Sequence, residues 1–267
     1  KIIIRNAKII NEGSIFEADI LVDGERIERI APNISVDNKV CAIDADGRYL
    51  MPGMIDDQVH CREPGLTHKA DLVTESCAAI AGGITSFMEM PNVEPKTTNK
   101  KALDDKYLRA KDRCRTNYGF YLGATNTNIE VVKSLQLNDA CGIKAFLGAS
   151  TGNMLVNDPQ ALELLFEHAP IMVVTHCEDS PTIWENEAAA KEKYGLEVPM
   201  SEHPYIRSDL ACYKSSSYAI GLAKKYDALL HVLHLTSEKE MALFSDKHRS
   251  EKRITAEVCL HHLWFEE

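Results

Sequence analysis

From about residue 50 onward, short apolar runs alternate with amphipathic segments, and that alternation leaves few folds open. The strand-like runs are 54–60, 84–90, 118–124, 142–149, 171–176, 229–236 and 254–260. Between them lie the helical patterns 71–81, 103–114, 128–136, 159–168, 209–225 and 237–247. Gly82 and Gly83 close the first of these, as glycine does just past helix ends. Such alternation implies the α/β class, a parallel sheet with helices outside it. Seven repeats are too many for a typical doubly wound sheet and suit a (β/α)8-type TIM barrel. A closed barrel of this type needs an eighth strand. The residues His261 to Glu267 end at or just past the seventh, so the expectation is a barrel truncated after strand seven.

Residues 1–50 have a different character and predict a small β domain ahead of a barrel spanning 51–267. Ile2-Ile3-Ile4 and Ile9-Ile10 read as strand. Ile20-Leu21-Val22, the turn Asp23-Gly24 and Arg26-Ile27-Glu28-Arg29-Ile30 form a hairpin signal. Asp46-Gly47 marks a second turn.

A net charge of −10 argues against a non-specific nucleic-acid binder. No apolar run reaches the length of a membrane span, and no secretory signal opens the chain. The eight cysteines include no CxxC pair, which argues against a zinc ribbon or redox motif and for reduced thiols in the cytoplasm.

Barrel enzymes place their chemistry at the C-terminal ends of the strands. Reading only those ends collects His60 and Arg62, then Asn92, His176 and His234, with Lys144 inside strand four. Period-two alternation turns Gln58, His60 and Arg62 to one side and Val59 and Cys61 to the other. Cys177, beside His176, is turned away by the same argument. His231 rivals His234, and alternation with proximity to the strand end favours His234. Lys144 reads either as half of a buried salt bridge or as an amine that takes up carbon dioxide to become an anionic carbamate ligand. His261 and His262 stay ambiguous between ligation and packing. Imidazole and carboxylate-type ligands suit zinc, which acidifies a bound water. Arg62 would pair bidentately with a substrate carboxylate, and Asn92 would add donors. A rival motif, Gly148-Ala149-Ser150-Thr151-Gly152, fits G-x-S-x-G. Its nucleophile turn requires a helix at once, whereas the next helix is expected only near Pro159.

These residues together resemble dihydroorotases, cyclic amidohydrolases of the amidohydrolase superfamily. The resemblance spans essentially the whole chain. It rests on Met51-Pro52-Gly53-Met54-Ile55-Asp56, His60-Cys61-Arg62-Glu63-Pro64-Gly65, Ala81-Gly82-Gly83-Ile84-Thr85 and Met90-Pro91-Asn92. It continues through Ile143-Lys144-Ala145-Phe146, His176-Cys177-Glu178, His234-Leu235-Thr236-Ser237 and Glu257-Val258-Cys259-Leu260-His261-His262-Leu263. The resemblance implies that Arg62 and Asn92 hold the carboxylate of dihydroorotate. It implies that His60, Lys144, as a carbamylated bridging ligand, His176 and His234 hold one or two zinc ions. Gln58 stands where the family usually has the first histidine of His-x-His, and an amide oxygen is the poorer zinc ligand. Lys144, His176 and His234 would still supply the three ligands of a catalytic zinc. The family's catalytic aspartate ends strand eight, so the general base is expected beyond Glu267 and the chain alone is expected to be inactive.

The implied activity is the reversible hydrolysis of dihydroorotate to N-carbamoyl-aspartate in pyrimidine biosynthesis, by a cytoplasmic enzyme for which a homodimer is one expected assembly. Two alternatives stand. One is a related cyclic amidase acting on hydantoins, dihydropyrimidines or allantoin, for which Arg62 would have no purpose. The other is a non-catalytic scaffold subunit, for instance beside a transcarbamoylase, motivated by Gln58 and by the lack of the family's catalytic aspartate within the chain.

Overall fold

The structure is a computed structural model that describes residues 1–148 and 154–265. The chain divides into two compact units, Lys1–Met54 and Ile55–Glu267.

The first unit is one mixed sheet of β1 (Ile2–Asn11), β2 (Ser14–Asp23), β3 (Arg26–Ala31), β4 (Cys41–Asp44) and β5 (Tyr49–Leu50). Its order is β3-β2-β1-β4, with β5 also on β1. The hairpin turns at Gly24, whose φ of 56° suits a residue without a Cβ. The two apolar runs expected near the start are one strand, β1, whose register slips between Ile4 and Ala7 around Asn6. Ala7, Ile9, Ala18 and Ile20 form one small core, and Ile3, Leu21 and Ile34 another.

The second unit alternates strands with helices. β6 (Met54–Val59), β7 (Ile84–Glu89) and β8 (Asn117–Phe120) are neighbours in one sheet. β9 (Leu122–Gly123), β10 (Ile143–Phe146), β11 (Val173–His176), β12 (Leu230–Val232) and β13 (Ile254–Ala256) make the other, paired in parallel throughout. β8 and β9 are one strand interrupted at Tyr121. The Tyr121 N–H donates to Glu89 O (3.1 Å), and the Leu122 N–H donates to Gly142 O (3.1 Å), so the two sheets run on into each other. Seven strand positions result among the described residues.

The helices are α1 (Leu72–Ala81), α2 (Lys100–Ala110), α3 (Ile129–Lys133), α4 (Pro159–His168), α5 (Ser180–Tyr194), α6 (His203–Ile206), α7 (Asp209–Tyr226), α8 (Glu238–Met241) and α9 (Leu260–Trp264). α2 starts earlier than its apolar period suggests because the Asn99 side chain caps it, accepting from Ala102 N at 2.9 Å. α5 was not anticipated, and the pattern over 237–247 yields only the single turn of α8. α4 begins at Pro159 behind an Asp158 cap, as expected. Ser150 of the rival motif lies outside the described residues.

Strand periodicity separates two apolar layers. Phe87, Phe120, Leu122, Ile143, Ala145, Val173, Leu230 and Val232 belong to the large cluster that also takes in helix residues such as Leu103, Leu165 and Ile220. Residues of the opposite parity, Met90, Tyr121, Val174 and Leu233, form a second cluster inside the sheet. Burying those two layers is what holds the strand ends, and whatever they carry, in a fixed arrangement. Among the described residues no helix is long and apolar enough to cross a membrane.

Candidate active site

β6 delivers the first side chains. Val59 packs against the outer layer, which leaves Gln58 and His60 on the other face, their Nε2 atoms 3.2 Å apart. Cys61 is wholly buried in the outer cluster, turned away as expected. The alternation does not carry on to Arg62. The strand ends at Val59, and Arg62 has a φ of 62°, in the left-handed region that costs a non-glycine residue roughly 1–3 kcal/mol. Its placement is a property of the loop.

That loop is tightly held. Glu63 is buried, accepts Leu72 N at 3.1 Å and takes Arg113 through two oxygens at 2.6 and 3.2 Å. Gly65 has a φ of 82°, and a Cβ there would lie 2.0 Å from Glu94 O. The Glu94 N–H donates to Pro64 O (3.0 Å) and the Met90 N–H to Val59 O (2.9 Å). These bonds stitch the loop carrying Arg62 to the loop carrying Asn92. Asn92 is buried, and its side chain lies close enough to His60 to influence the imidazole's titration.

Lys144 is 1% exposed on β10, with its ammonium 4.6 Å from the Phe146 ring centre. Burial pushes this amine down to about 7. Burial holds the His60 imidazole at about 3, with Arg62 and then Lys144 acting in the same direction. His234 is held at about 4, again by burial first and by Lys144 next. Both imidazoles are therefore neutral near pH 7.

His176 closes β11, and its Nδ1 lies 3.1 Å from His234 Nε2. His234 reaches that place by a route alternation does not describe. β12 ends at Val232, and Leu233 points into the inner cluster. Simple alternation would then send His234 outward with Val232. A φ of 39° at His234 swings it back. The preference for His234 over His231 matches its position beside His176, but the reason is the kink.

Other groups were not foreseen. Glu178 bridges His176 Nε2 (Oε2, 2.7 Å) and the Arg207 guanidinium (Nε to Oε1, 2.7 Å). Burial opposes its ionisation, yet the hydrogen bonds from His176 and Arg207 outweigh that and hold the carboxyl at about 2. Its signal was the spacing, two residues past His176 on the same parity. Arg207 had none. Glu257 accepts the His234 N–H at 3.0 Å. Asp57, His231 and Glu257 place ligand-type atoms within 4.8 Å of one another, as do Cys259, His261 and His262. His231 Nε2 sits 3.5 Å from each of the two carboxylates, and its Nδ1 2.8 Å from Thr255 Oγ1. Glu257 pushes Asp57 above the usual carboxylate range, in addition to the larger push from burial.

The donor set fits zinc. Two imidazole nitrogens, His176 Nδ1 and His234 Nε2, face each other at about the separation expected of ligands sharing one tetrahedral ion with bonds of roughly 2.0–2.1 Å. The buried amine of Lys144 is close enough to neutrality to react with carbon dioxide.

The dihydro-orotase-like family model matches residues 47–199. A dihydroorotase of Bacillus cytotoxicus is 32% identical over 97% of this chain and 60% of its own length. One from Pediococcus pentosaceus is 30% identical over 100% of the chain and 62% of its own length. The chain thus spans about three fifths of the curated relatives it matches. Among solved structures, an L-hydantoinase (dihydropyrimidinase) from Arthrobacter aurescens superposes with a TM-score of 0.86 at 26% identity, covering 96% of this chain and 58% of that one. The dihydropyrimidinase of Brevibacillus agri, at 24% identity, shares the fold with a TM-score of 0.84, over 98% of this chain and 57% of its own.

Proposed function

Because this chain belongs to the dihydro-orotase-like family, we propose that it forms the barrel of a zinc-dependent dihydroorotase. The reaction is the reversible opening of the dihydroorotate ring to N-carbamoyl-aspartate. The ring amide C–N bond breaks, while water supplies a hydroxyl to the carbonyl carbon and a proton to the nitrogen.

What supports this reading is the 3.1 Å approach of His176 Nδ1 to His234 Nε2, together with the electrostatic influence of Arg62 and Lys144 on His60 and of Lys144 on His234. His60, Lys144, His176 and His234 are the residues that would hold one or two zinc ions, with Lys144 as its carbamate and Gln58 as a weak further donor. Zinc, when bound, supplies Lewis acidity toward the amide carbonyl and acidifies water. The chain's own residues position the substrate. Arg62 offers a planar fork to the carboxylate, and Asn92 braces the same loop pair. The proton-transfer role goes to the aspartate that the resemblance places at the end of strand eight. The small N-terminal β unit, a cytoplasmic location and a homodimer belong to the same reading. Sedimentation of the purified protein tests the last.

The test compares dihydroorotate with dihydrouracil, which lacks the carboxylate, in binding to the zinc-loaded protein and in turnover. Preference for dihydroorotate is expected. Equal handling, or a preference for dihydrouracil, would move the assignment to a hydantoinase-type amidase, the class of the superposing solved structures. Loss of zinc from protein prepared in bicarbonate-free buffer, with recovery on adding bicarbonate, is expected if Lys144 is carbamylated.

A further inference from the structure

We propose that Glu178 is a positioning residue that fixes the proton and ring orientation of His176, and that Arg207 locks Glu178 in that role. The inference rests on the zinc reading above and adds the groups that prepare its ligand.

Glu178 follows His176 by two residues and is 7% exposed. Its Oε2 lies 2.7 Å from His176 Nε2. Its Oε1 accepts from Arg207 Nε at 2.7 Å, and Arg207 Nη2 contacts Oε2. A carboxylate saturated by a guanidinium only accepts hydrogen bonds, so the His176 atom facing it must carry a proton. A neutral imidazole has one proton to place. The 2.7 Å contact with Glu178 draws the ring proton to Nε2, and Nδ1 is then the nitrogen left to present a lone pair. Nδ1 is the atom that faces His234 Nε2 at 3.1 Å. In the metal-free chain His234 must then donate from Nε2 to His176 Nδ1. With a cation between the rings, His176 presents Nδ1 with no proton to displace.

The backbone around Glu178 is pinned to hold this geometry. A Cβ at Gly148 would lie 2.3 Å from Glu178 O, so the chain leaving β10 rests directly on it. The Asp179 N–H donates to Ala211 O at 3.0 Å, and the Asp179 carboxylate caps α5 by accepting Thr182 N at 3.1 Å. Arg207 arrives from 29 residues further on, between α6 and α7. A pair serving only to tie that connection to the barrel would not need His176 as its third member. Carboxylates behind metal-binding histidines generally set tautomer and basicity, and their loss weakens metal binding roughly 10–100-fold.

The experiment is nitrogen-15 NMR of the histidine rings in the metal-free full chain near pH 7.5, assigned with His176→Gln, alongside zinc affinity by chelator competition. The parent chain is expected to show His176 as the Nε2–H tautomer. Glu178→Ala should lose that preference and bind zinc about 10–100-fold more weakly. Glu178→Gln, whose amide oxygen still accepts, should keep the tautomer, and Arg207→Met should weaken the preference without removing it. His176 found as the Nδ1–H tautomer or as imidazolium in the parent chain would overturn the proposal. So would a Glu178→Ala protein with tautomer and affinity both unchanged. A parent chain that binds no zinc would defeat the metal reading on its own, and the tautomer would still decide the role of Glu178.

Discussion

Lys106 on α2 and Glu89 at the end of β7 form an ion pair in which the side chains are 1% and 0% exposed. The same ammonium donates to Met90 O at 2.9 Å and lies 4.9 Å from the Phe120 ring centre. It therefore clamps the strand end from which Met90-Pro91-Asn92 departs. Removing one partner of a buried pair leaves a charge with no compensation, at a cost of about 3–5 kcal/mol. Lys106→Met should destabilise the chain by that order, and Lys106→Met with Glu89→Leu by much less. Urea denaturation of the single and double variants measures both. Equal losses in the two would show that the ion pair is not what matters.

Arg62 combines a left-handed backbone with a side chain proposed above to bind the substrate carboxylate. Glycine at that position releases left-handed strain of about 1–3 kcal/mol and adds chain entropy of roughly 0.5–1 kcal/mol. Arg62→Gly is expected to melt no lower than the parent while binding dihydroorotate about 10–100-fold more weakly, the loss of a charge-assisted hydrogen-bonded pair at about 1.5–3 kcal/mol. Calorimetry of unfolding and of binding separates the two effects. A strongly destabilised variant would make Arg62 a structural residue first.

His60 and His234 are held at about 3 and about 4, chiefly by burial. In the unfolded chain they titrate near their ordinary value of about 6.5. Between about 6.5 and 4 the unfolded chain therefore binds protons that the folded chain refuses, and stability falls as pH drops through that window. Above about 6.5 neither histidine contributes. Asp57, raised by burial and by Glu257, opposes this with one proton the folded chain keeps. Metal-free protein should show a lower denaturation midpoint at pH 5 than at pH 6.5, and His60→Asn should flatten the difference. A midpoint that rises toward pH 5 would contradict the neutral, buried state of the two rings.

His176 and His234 meet at 3.1 Å although 58 residues separate them. If they share a zinc ion, chelation should lower the thermal midpoint of the loaded protein, since a ligand bound only to the folded state stabilises it by mass action. His234→Ala should abolish that response, its own metal-free midpoint serving as the reference. A chelator shift that survives in His234→Ala would locate the metal elsewhere, with Asp57, His231 and Glu257 the next group to replace.

Much of this arrangement was legible in the chain. Apolar runs with period two, separated by amphipathic segments, dictate parallel strands under helices, because only that packing buries both kinds of surface. The same period put His60 on the inner side and turned Cys61 and Cys177 outward, where both are buried. The Asp23-Gly24 and Asp46-Gly47 turns were equally local, as their positive φ values at Gly24, Asp46 and Gly47 attest. α5 escaped because its apolar positions are weakly patterned, and the 237–247 segment forms only the one turn of α8, although Leu243 and Phe244 beyond it still pack against the core.

Order along the chain and the inward face of a regular strand were thus decided by sequence, since both follow from short-range periodicity. The orientations of Arg62 and His234 were decided by tertiary structure, because one left-handed residue at a strand end cancels alternation and nothing in composition announces it. Glu178 with Arg207, and Glu257 with the His234 backbone, are pairs 29 and 23 residues apart whose meeting depends on how whole strands and helices pack. Period-based reasoning reaches a few residues, while a site assembled from several strand ends is fixed only when the buried layers bring those ends together.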